Sequence, residues 1–220
     1  MNNMQIAIDG PAGAGKSTIS KLLADRLNIN YINTGAMYRA LTLKCLRNNI
    51  DINDEKAVAD LCKITDIDFR NNIIYLDGEN VGHLITSKEV NQNVSNVAKI
   101  VDVRLSMVEK QRFISEDKSV ILDGRDVGTY IFPNTKYKFY LNASPEERGK
   151  RRFLELKYKG ENVDLYQITN DIIKRDLIDS SRDFAPLVKA EDAIEIDSSF
   201  MTIEEVVDCL EEKIKELMVK

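Results

Sequence analysis

Histidine is almost absent from this chain. Of 220 residues only His83 carries an imidazole, so a histidine-built metal site or a histidine general base has little raw material. The three cysteines, Cys45, Cys62 and Cys209, are widely spaced and form no Cys-x-x-Cys pair, which argues against a zinc site and a disulfide framework and leaves reduced thiols. A basic surplus is missing too. With 31 Lys and Arg against 36 Asp and Glu, the formal net charge is −5, the wrong sign for a nucleic-acid or anionic-membrane binder, so any cationic site must be local. No apolar run approaches the ~18 residues of a membrane span, and no signal peptide precedes the first strand. The expectation is a cytoplasmic protein, a monomer with small-molecule partners and neither nucleic acid nor membrane among them. At 43% hydrophobic the chain can bury one full core plus a small appended element, so one domain with insertions is expected.

What the chain does have is Gly10-Pro11-Ala12-Gly13-Ala14-Gly15-Lys16-Ser17, which fits the phosphate-binding pattern G-x-x-x-x-G-K-[ST] at every fixed position. Met4 to Asp9 reads as a short buried strand entering this loop, and Ser17 opens an amphipathic run with Ile19, Leu22, Leu23 and Leu27 on one face. Strand, loop and helix are the arrangement the chemistry needs. Glycines let backbone N–H groups converge on phosphate oxygens, and the helix N-terminus adds partial positive charge. Lys16, an exposed loop lysine on this reading, reaches the outer phosphates, and the Ser17 hydroxyl can ligate Mg²⁺.

Further along, Asn30 to Ile32 is a second strand, and Thr34 is placed to cap a helix running to about Arg47. A helix from Asp54 carries Val58, Leu61 and Cys62. The period then changes: Ile67–Phe69, Ile73–Leu76 and Asn80–Val81 are short and β-rich, divided by the turn pairs Asn71-Asn72 and Asp77-Gly78. Residues 87–116 read as two helical pieces broken near Lys99, with Val103, Met107, Val108 and Ile114 buried. Val120-Ile121-Leu122 and Tyr137 to Leu141 are strands, and Ser144-Pro145-Glu146-Glu147 is a capping box that launches a helix ended by Gly160. A helix from Asp164 is expected to bury Leu165, Ile168, Ile172 and Ile173. Ala193 to Asp197 is the last strand, followed by a second capping box at Thr202–Glu205. The fold class is therefore α/β, a five-stranded parallel sheet with helices on both faces plus a small antiparallel β insertion.

A phosphate loop alone leaves kinases, GTPases, other NTPases and regulatory nucleotide binders open. The Asp-x-x-Gly and Asn-Lys-x-Asp signatures of switch GTPases are absent. Arg39, Arg125, Arg175 and Arg182 instead fall where a second anionic substrate would need them, after strands or near helix ends, and Arg125 lies within Asp123-Gly124-Arg125-Asp126. Such an acceptor, if a phosphate monoester, arrives deprotonated and needs no general base; clamping by Lys, Arg and Mg²⁺ is then most of the catalysis.

Asp9 to Ser17, Thr34-Gly35-Ala36-Met37-Tyr38-Arg39, Asp123-Gly124-Arg125-Asp126-Val127-Gly128 and the stretch Arg182 to Leu187 together resemble the bacterial cytidylate kinases, over the whole length of the chain. The resemblance implies ATP as co-substrate, Mg²⁺ as cofactor, and CMP or dCMP as acceptor. It implies a core of about 1–33, 118–145 and 165–220, a monophosphate-binding insertion of about 34–117 and a lid of about 146–164. Donor binding would fall to Gly10, Pro11, Ala12, Gly13, Ala14, Gly15, Lys16, Ser17 and Thr18, with Arg148, Arg151 and Arg152 on the mobile lid and Ser17 on the metal. Lys16, Arg125 and Arg182 would be catalytic. Thr34, Arg39, Arg125 and Arg182 would hold the acceptor phosphate, with Tyr38 also binding substrate, Ser95, Arg104 and Asp126 would read the cytosine edge, and Arg175 and Asp179 would hold the sugar hydroxyls. The chain departs from the family pattern at Ile85-Thr86-Ser87, where an arginine is frequent, and at Ser180-Ser181. Kinases of UMP or shikimate, and a nucleotide binder without turnover, are the competing readings.

Overall fold

The computed structural model describes residues 3–219; Met1, Asn2 and Lys220, which the expected core segments include, lie outside that range. A βαβ unit opens the fold: β1 (Gln5–Asp9), α1 (Lys16–Leu27) and β2 (Asn30–Asn33). Helices α2 (Thr34–Arg47) and α3 (Glu55–Lys63) follow, then the short strands β3 (Ile67–Arg70), β4 (Ile73–Leu76) and β5 (Glu79–Asn80), then α4 (Lys88–Lys99) and α5 (Val101–Ser115). Strand β6 (Val120–Gly124) runs into a π-helical turn, Val127–Ile131, before β7 (Tyr137–Asn142). The chain closes with α6 (Pro145–Tyr158), α7 (Leu165–Ser180), β8 (Ile194–Asp197) and α8 (Ile203–Val219).

Five strands pair in parallel in the order β2-β6-β1-β7-β8, with Ile6 opposite Ile121 and Ala7 opposite Leu122. Alternation along the strands splits the core in two. Ile6, Ile8, Tyr31 and Ile121 meet Ile19 and Leu23 of α1 and Val207 and Leu210 of α8 on one face. On the other, Ala7, Ile32, Val120 and Leu122 meet Met37 and Leu41 of α2 and Val103 and Met107 of α5. The expected sheet, covered on both faces, is the observed one. Polar residues lie at the carboxyl ends of the strands along one edge, where open parallel sheets hold their ligands: Asp9, Asn33, Asn142 and Asp197 end theirs, and Asp123 is the last but one of β6.

The insertion is a three-stranded antiparallel sheet, β3-β4-β5. Its turns form because Asn71 (φ 51°), Asn72 (φ 62°), Asp77 (φ 49°) and Gly78 (φ 84°) all take the left-handed conformation a tight hairpin demands. Asn72 Oδ1 accepts from Tyr31 N at 3.2 Å and so pins the insertion to the open edge of β2. The break between α4 and α5 falls at Ile100, whose backbone is extended (φ −67°, ψ 121°).

Three local expectations need correction. Thr34 does not cap α2; Asn33 does, its Oδ1 accepting from Ala36 N at 2.8 Å, which frees the Thr34 hydroxyl to donate to Asp123 O at 2.7 Å. The two capping boxes differ: Thr202 and Glu205 exchange both bonds, whereas Ser144 accepts from Glu147 N but its own N–H goes to Ser199 Oγ. On α7, Ile172 is buried but Leu165 and Ile173 are exposed, because this helix packs mainly on α6 through a narrow stripe that includes Gly149 against Thr169.

Candidate active site

The loop between β1 and α1 can close only because it is glycine. A Cβ on Gly10 would lie 2.0 Å from Leu141 O, and Gly13 (φ 76°) and Gly15 (φ 86°) take conformations that side chains resist. The result is a cradle of backbone opening at the N-terminus of α1. Lys16 is buried, not exposed as the sequence suggested: its ammonium donates to Gly10 O (2.8 Å) and Pro11 O (2.7 Å), within the curl of the loop. Burial and the neighbouring Arg125 lower its pKa, while Asp123 and Asp9 oppose the shift.

Two buried carboxylates close the strands below the loop. Asp123 Oδ2 accepts from Ser17 Oγ at 2.8 Å and Oδ1 from Tyr31 OH at 2.9 Å, and Asn33 Nδ2 donates to both hydroxyls. Burial raises the Asp123 pKa, with Lys16 pulling the other way. Asp9 Oδ1 accepts from Val127 N at 2.9 Å and Oδ2 from Gly128 N at 2.7 Å; burial pushes its carboxyl up to about 7 in spite of those two bonds. The Ser17 hydroxyl with Asp123 behind it is a hard-oxygen pair of the kind Mg²⁺ accepts alongside phosphates and water. Among the described residues no group of three His, Cys, Asp or Glu could hold a metal by itself, so the fit is to an ion arriving with a nucleotide.

Facing the loop is a cationic cluster drawn from four elements: Arg39 of α2, Arg125 after β6, Arg175 of α7 and Arg182 beyond it. Asp179 is the acid at its centre. One of its oxygens accepts from Arg125 Nε at 2.8 Å and the other pairs with Arg182, and although burial opposes it, Arg125, Arg182 and Arg175 hold its carboxyl below the usual range. The cations outnumber their acid. Burial, then Arg125 and Arg39, push Arg175 down to about 9, and Arg39 is lowered by burial and Arg125. Buried Nε atoms of Arg175 and Arg182 have no hydrogen-bond partner within the protein. An orphaned N–H of this kind costs ~1–3 kcal/mol, which a bound anion would recover.

Deeper on the same side, Arg104 is 1% exposed, donates to Ala98 O (3.1 Å) and Asp126 Oδ2 (2.6 Å), and lies 5.6 Å from the ring centroid of Tyr38. Its Nε is likewise unpaired. Ser95 is half-buried on α4 and Thr18 is exposed at the start of α1. Thr34 is held by Asp123, and Arg39 Nε reaches Asn91 Oδ1 at 3.4 Å.

The arginines of α6 are differently placed. Arg148 is buried at the base of the helix and donates to Ala143 O (2.9 Å), Ala12 O (2.8 Å) and Asp176 Oδ2 (2.5 Å). Asp176 Oδ1 accepts from Ala12 N at 2.9 Å, so the Ala12 residue is gripped at both its carbonyl and its N–H. Arg151 lies over Gly15 and donates to Ser198 Oγ (3.1 Å) and Ser198 O (2.5 Å), and Arg152 pairs with Glu155 at 2.6 Å. The sequence reading gave no role to Asp176, Asp9, Asp123, Tyr31 or Asn33. A carboxylate closing an otherwise apolar strand was the available signal for Asp9 and Asp123; Asp176, one charge among many on an amphipathic helix, offered none.

A glycine-rich phosphate-loop cradle at the carboxyl edge of a parallel sheet, facing a cluster of incompletely paired arginines, is the arrangement of a P-loop phosphotransferase. The family profile described as Cytidylate kinase matches residues 6–216. The cytidylate kinase of Clostridioides difficile (strain 630) is 60% identical over 214 residues, 97% of this chain and 99% of its own. That of Alkaliphilus oremlandii (strain OhILAs) is 56% identical over 208 residues, 94% of this chain and 96% of its own. Among solved structures, an uncharacterized protein from Eubacterium ventriosum ATCC 27560 covers 98% of this chain and 99% of its own at a TM-score of 0.52 and 15% identity, a likeness of fold. The chain belongs to the cytidylate kinase family and is a nucleoside monophosphate kinase.

Proposed function

We propose that this chain transfers the γ-phosphoryl group of ATP to CMP and dCMP, giving ADP with CDP or dCDP. The observation that carries the reading is the arginine cluster opposite the phosphate loop, with more cations than acids and unpaired guanidinium N–H groups. A dianionic phosphate monoester supplies the charge and acceptor oxygens this cluster lacks, and it needs no base to attack. Gly10 to Thr18 would cradle the donor phosphates. Lys16, Arg125 and Arg182 would neutralise charge on the group in transit, which is most of what catalysis of this transfer requires. Mg²⁺ would be held at the Ser17 hydroxyl, backed by Asp123, and would neutralise phosphate charge there.

On the acceptor, Thr34, Tyr38, Arg39, Arg125 and Arg182 would surround the phosphate, and Arg175 with Asp179 would meet the sugar. Asp179 already has an arginine on each oxygen, so its first task is to hold Arg125 and Arg182 in place. Ser95, Arg104 and Asp126 would read the base: the Asp126 carboxylate accepts from the cytosine amino group, and the free Nε of Arg104 is a donor for the ring. With UMP the carboxylate would face a carbonyl, an unpaired contact costing ~1–3 kcal/mol. Residues 146–164 would form the lid, with Arg151 and Arg152 towards ATP and Arg148 fixing the loop beneath; residues 34–117 would form the monophosphate-binding part and the remainder the core. A cytoplasmic monomer completes the proposal; no helix among the described residues is long and apolar enough to cross a membrane. The test is ADP formation from ATP and Mg²⁺ against CMP, dCMP, UMP and AMP. Turnover with the two cytidine nucleotides well above UMP and AMP supports the reading; equal turnover with all four, or none, refutes it.

A further inference from the structure

The π-helical turn after β6 begins in an unusual way. Asp126 occupies the position just before its first residue, the place where an aspartate ordinarily turns its carboxylate back onto the first N–H groups of its own helix. Asp126 does not do this. Its backbone carbonyl accepts from Tyr130 N (2.9 Å) and Ile131 N (3.3 Å), while its side chain points away to Arg104 Nη2 at 2.6 Å. The capping is done from another strand: Asp9, at the end of β1, takes Val127 N on one oxygen and Gly128 N on the other. The fit is close, since a Cβ on Gly128 would lie 3.3 Å from Asp9 Oδ2.

We propose that Asp9 is a positioning residue for base recognition: by capping the Val127–Ile131 turn in place of Asp126, it leaves the Asp126 carboxylate free to hold Arg104 and face the acceptor base. The inference rests on the reading of Asp126 as a base-reading residue. Asp9 also immediately precedes Gly10, but the root of the donor loop is held by the backbone pairing of β1 with β6 and β7, which a change of the Asp9 side chain leaves in place. Without Asp9 the first N–H groups of the turn are orphaned in a buried place, and Asp126, at the N-cap position, carries the carboxylate that ordinarily satisfies such groups. Asp126 would then turn inward and abandon Arg104.

The test is a double-mutant cycle on acceptor selectivity. For wild type, D9A, D126N and D9A/D126N, kcat/KM is measured for CMP and UMP at saturating ATP, together with the ATP KM. The expected result is a rise in CMP KM and a fall of about tenfold or more in the CMP to UMP ratio for D9A, with the ATP KM changed by less than about threefold. In the D126N background D9A should leave the ratio unchanged, because the residue it acts through is already lost. An unaltered ratio in D9A, or the same further fall on top of D126N, overturns the proposal. If D9A does not fold, D9N enters the same cycle; it keeps one accepting oxygen and should lower the ratio by about threefold or more, again only when Asp126 is present. A wild-type protein without monophosphate turnover would refute the functional reading instead, and the cycle would then be run on CMP and UMP binding by calorimetry, with the same selectivity criteria.

Discussion

Two sets of arginines line this molecule, and they are bound in opposite ways. In the cluster facing the phosphate loop, Arg125 and Arg182 share the single carboxylate of Asp179, burial and then Arg125 and Arg39 push Arg175 down, and the buried Nε atoms of Arg175 and Arg182 are unpaired. On α6, each arginine has a protein partner of its own: Arg148 has Ala143, Ala12 and Asp176, Arg151 has Ser198, and Arg152 has Glu155. Surplus buried charge destabilises a fold unless a ligand of opposite charge completes it, whereas saturated guanidinium groups hold protein to protein. The first set has the character of a substrate site under the proposed function, and the second ties protein to protein. Charge that the protein leaves uncompensated is thus a better pointer to an anion site than the number of arginines.

The hardest way to break this contrast is at its hub. Lys16 faces both the loop and the cluster, and Lys16→Ala should lower kcat by roughly 10²-fold or more, the scale of losing one preorganised electrostatic contact. Because the ammonium also ties Gly10 O and Pro11 O, circular dichroism and the melting temperature must be followed alongside turnover. Near wild-type kcat in the folded variant would remove Lys16 from the chemistry. Next comes the architectural set. Arg148→Met keeps the aliphatic stem but strands Asp176 Oδ2 and the carbonyls of Ala12 and Ala143, so it should cost about 3 kcal/mol, the lower end for breaking a buried pair. For a chain of this size that is a drop of about 6–12 °C in Tm. A Tm within about 2 °C of wild type, with a raised ATP KM, would instead make Arg148 a donor-binding residue.

Most of the fold was legible because its signals are local. The Asn71-Asn72 and Asp77-Gly78 turns, the Pro145 start of α6 and the Gly160 stop each follow from a backbone preference carried by the residue itself. The phosphate loop was legible for the same reason. What escaped were roles fixed by a partner distant in sequence: Asp9 capping a turn at Val127, Asp176 holding Ala12, Asn33 replacing Thr34 as cap because Asp123 O claims the Thr34 hydroxyl. Arg148 shows the limit best. In sequence it is indistinguishable from Arg151 and Arg152, and only the packing of α6 against the loop separates the buried clasp from its neighbours.

Arg125 sharpens the comparison from the acceptor side. Its Nε is committed to Asp179 and one Nη to Gly124 O, and the remaining N–H groups form the planar fork suited to a phosphate. Arg125→Lys keeps the charge and loses the fork, so the CMP KM should rise by about tenfold while the ATP KM changes little. Equal rises in both would put Arg125 between the two substrates.

Arg152 gives the smallest effect and the finest discrimination, because it stands between the two sets. It is paired with Glu155 in the manner of a surface bridge, side chains 35% and 47% exposed, yet its charge helps to depress Arg39 in the acceptor cluster. As a surface pair it contributes ~0–1 kcal/mol, so Arg152→Ala should leave Tm within about 4 °C of wild type. As part of the positive field it would act on an acceptor dianion through solvent: at a separation of ~8 Å in water each unit charge contributes about 0.5 kcal/mol, about 1 kcal/mol for a dianion, which screening at 0.1 M salt roughly halves, leaving about twofold in CMP KM. Such a contribution is screened, since the Debye length falls from about 10 Å at 0.1 M salt to about 3 Å at 1 M. The CMP KM of Arg152→Ala, measured against wild type at both ionic strengths, should differ at the lower one and converge at the higher. A difference above about tenfold in CMP KM that persists in salt would mean that Arg152 touches the acceptor directly, and the division between the two sets would have to be redrawn through α6 itself.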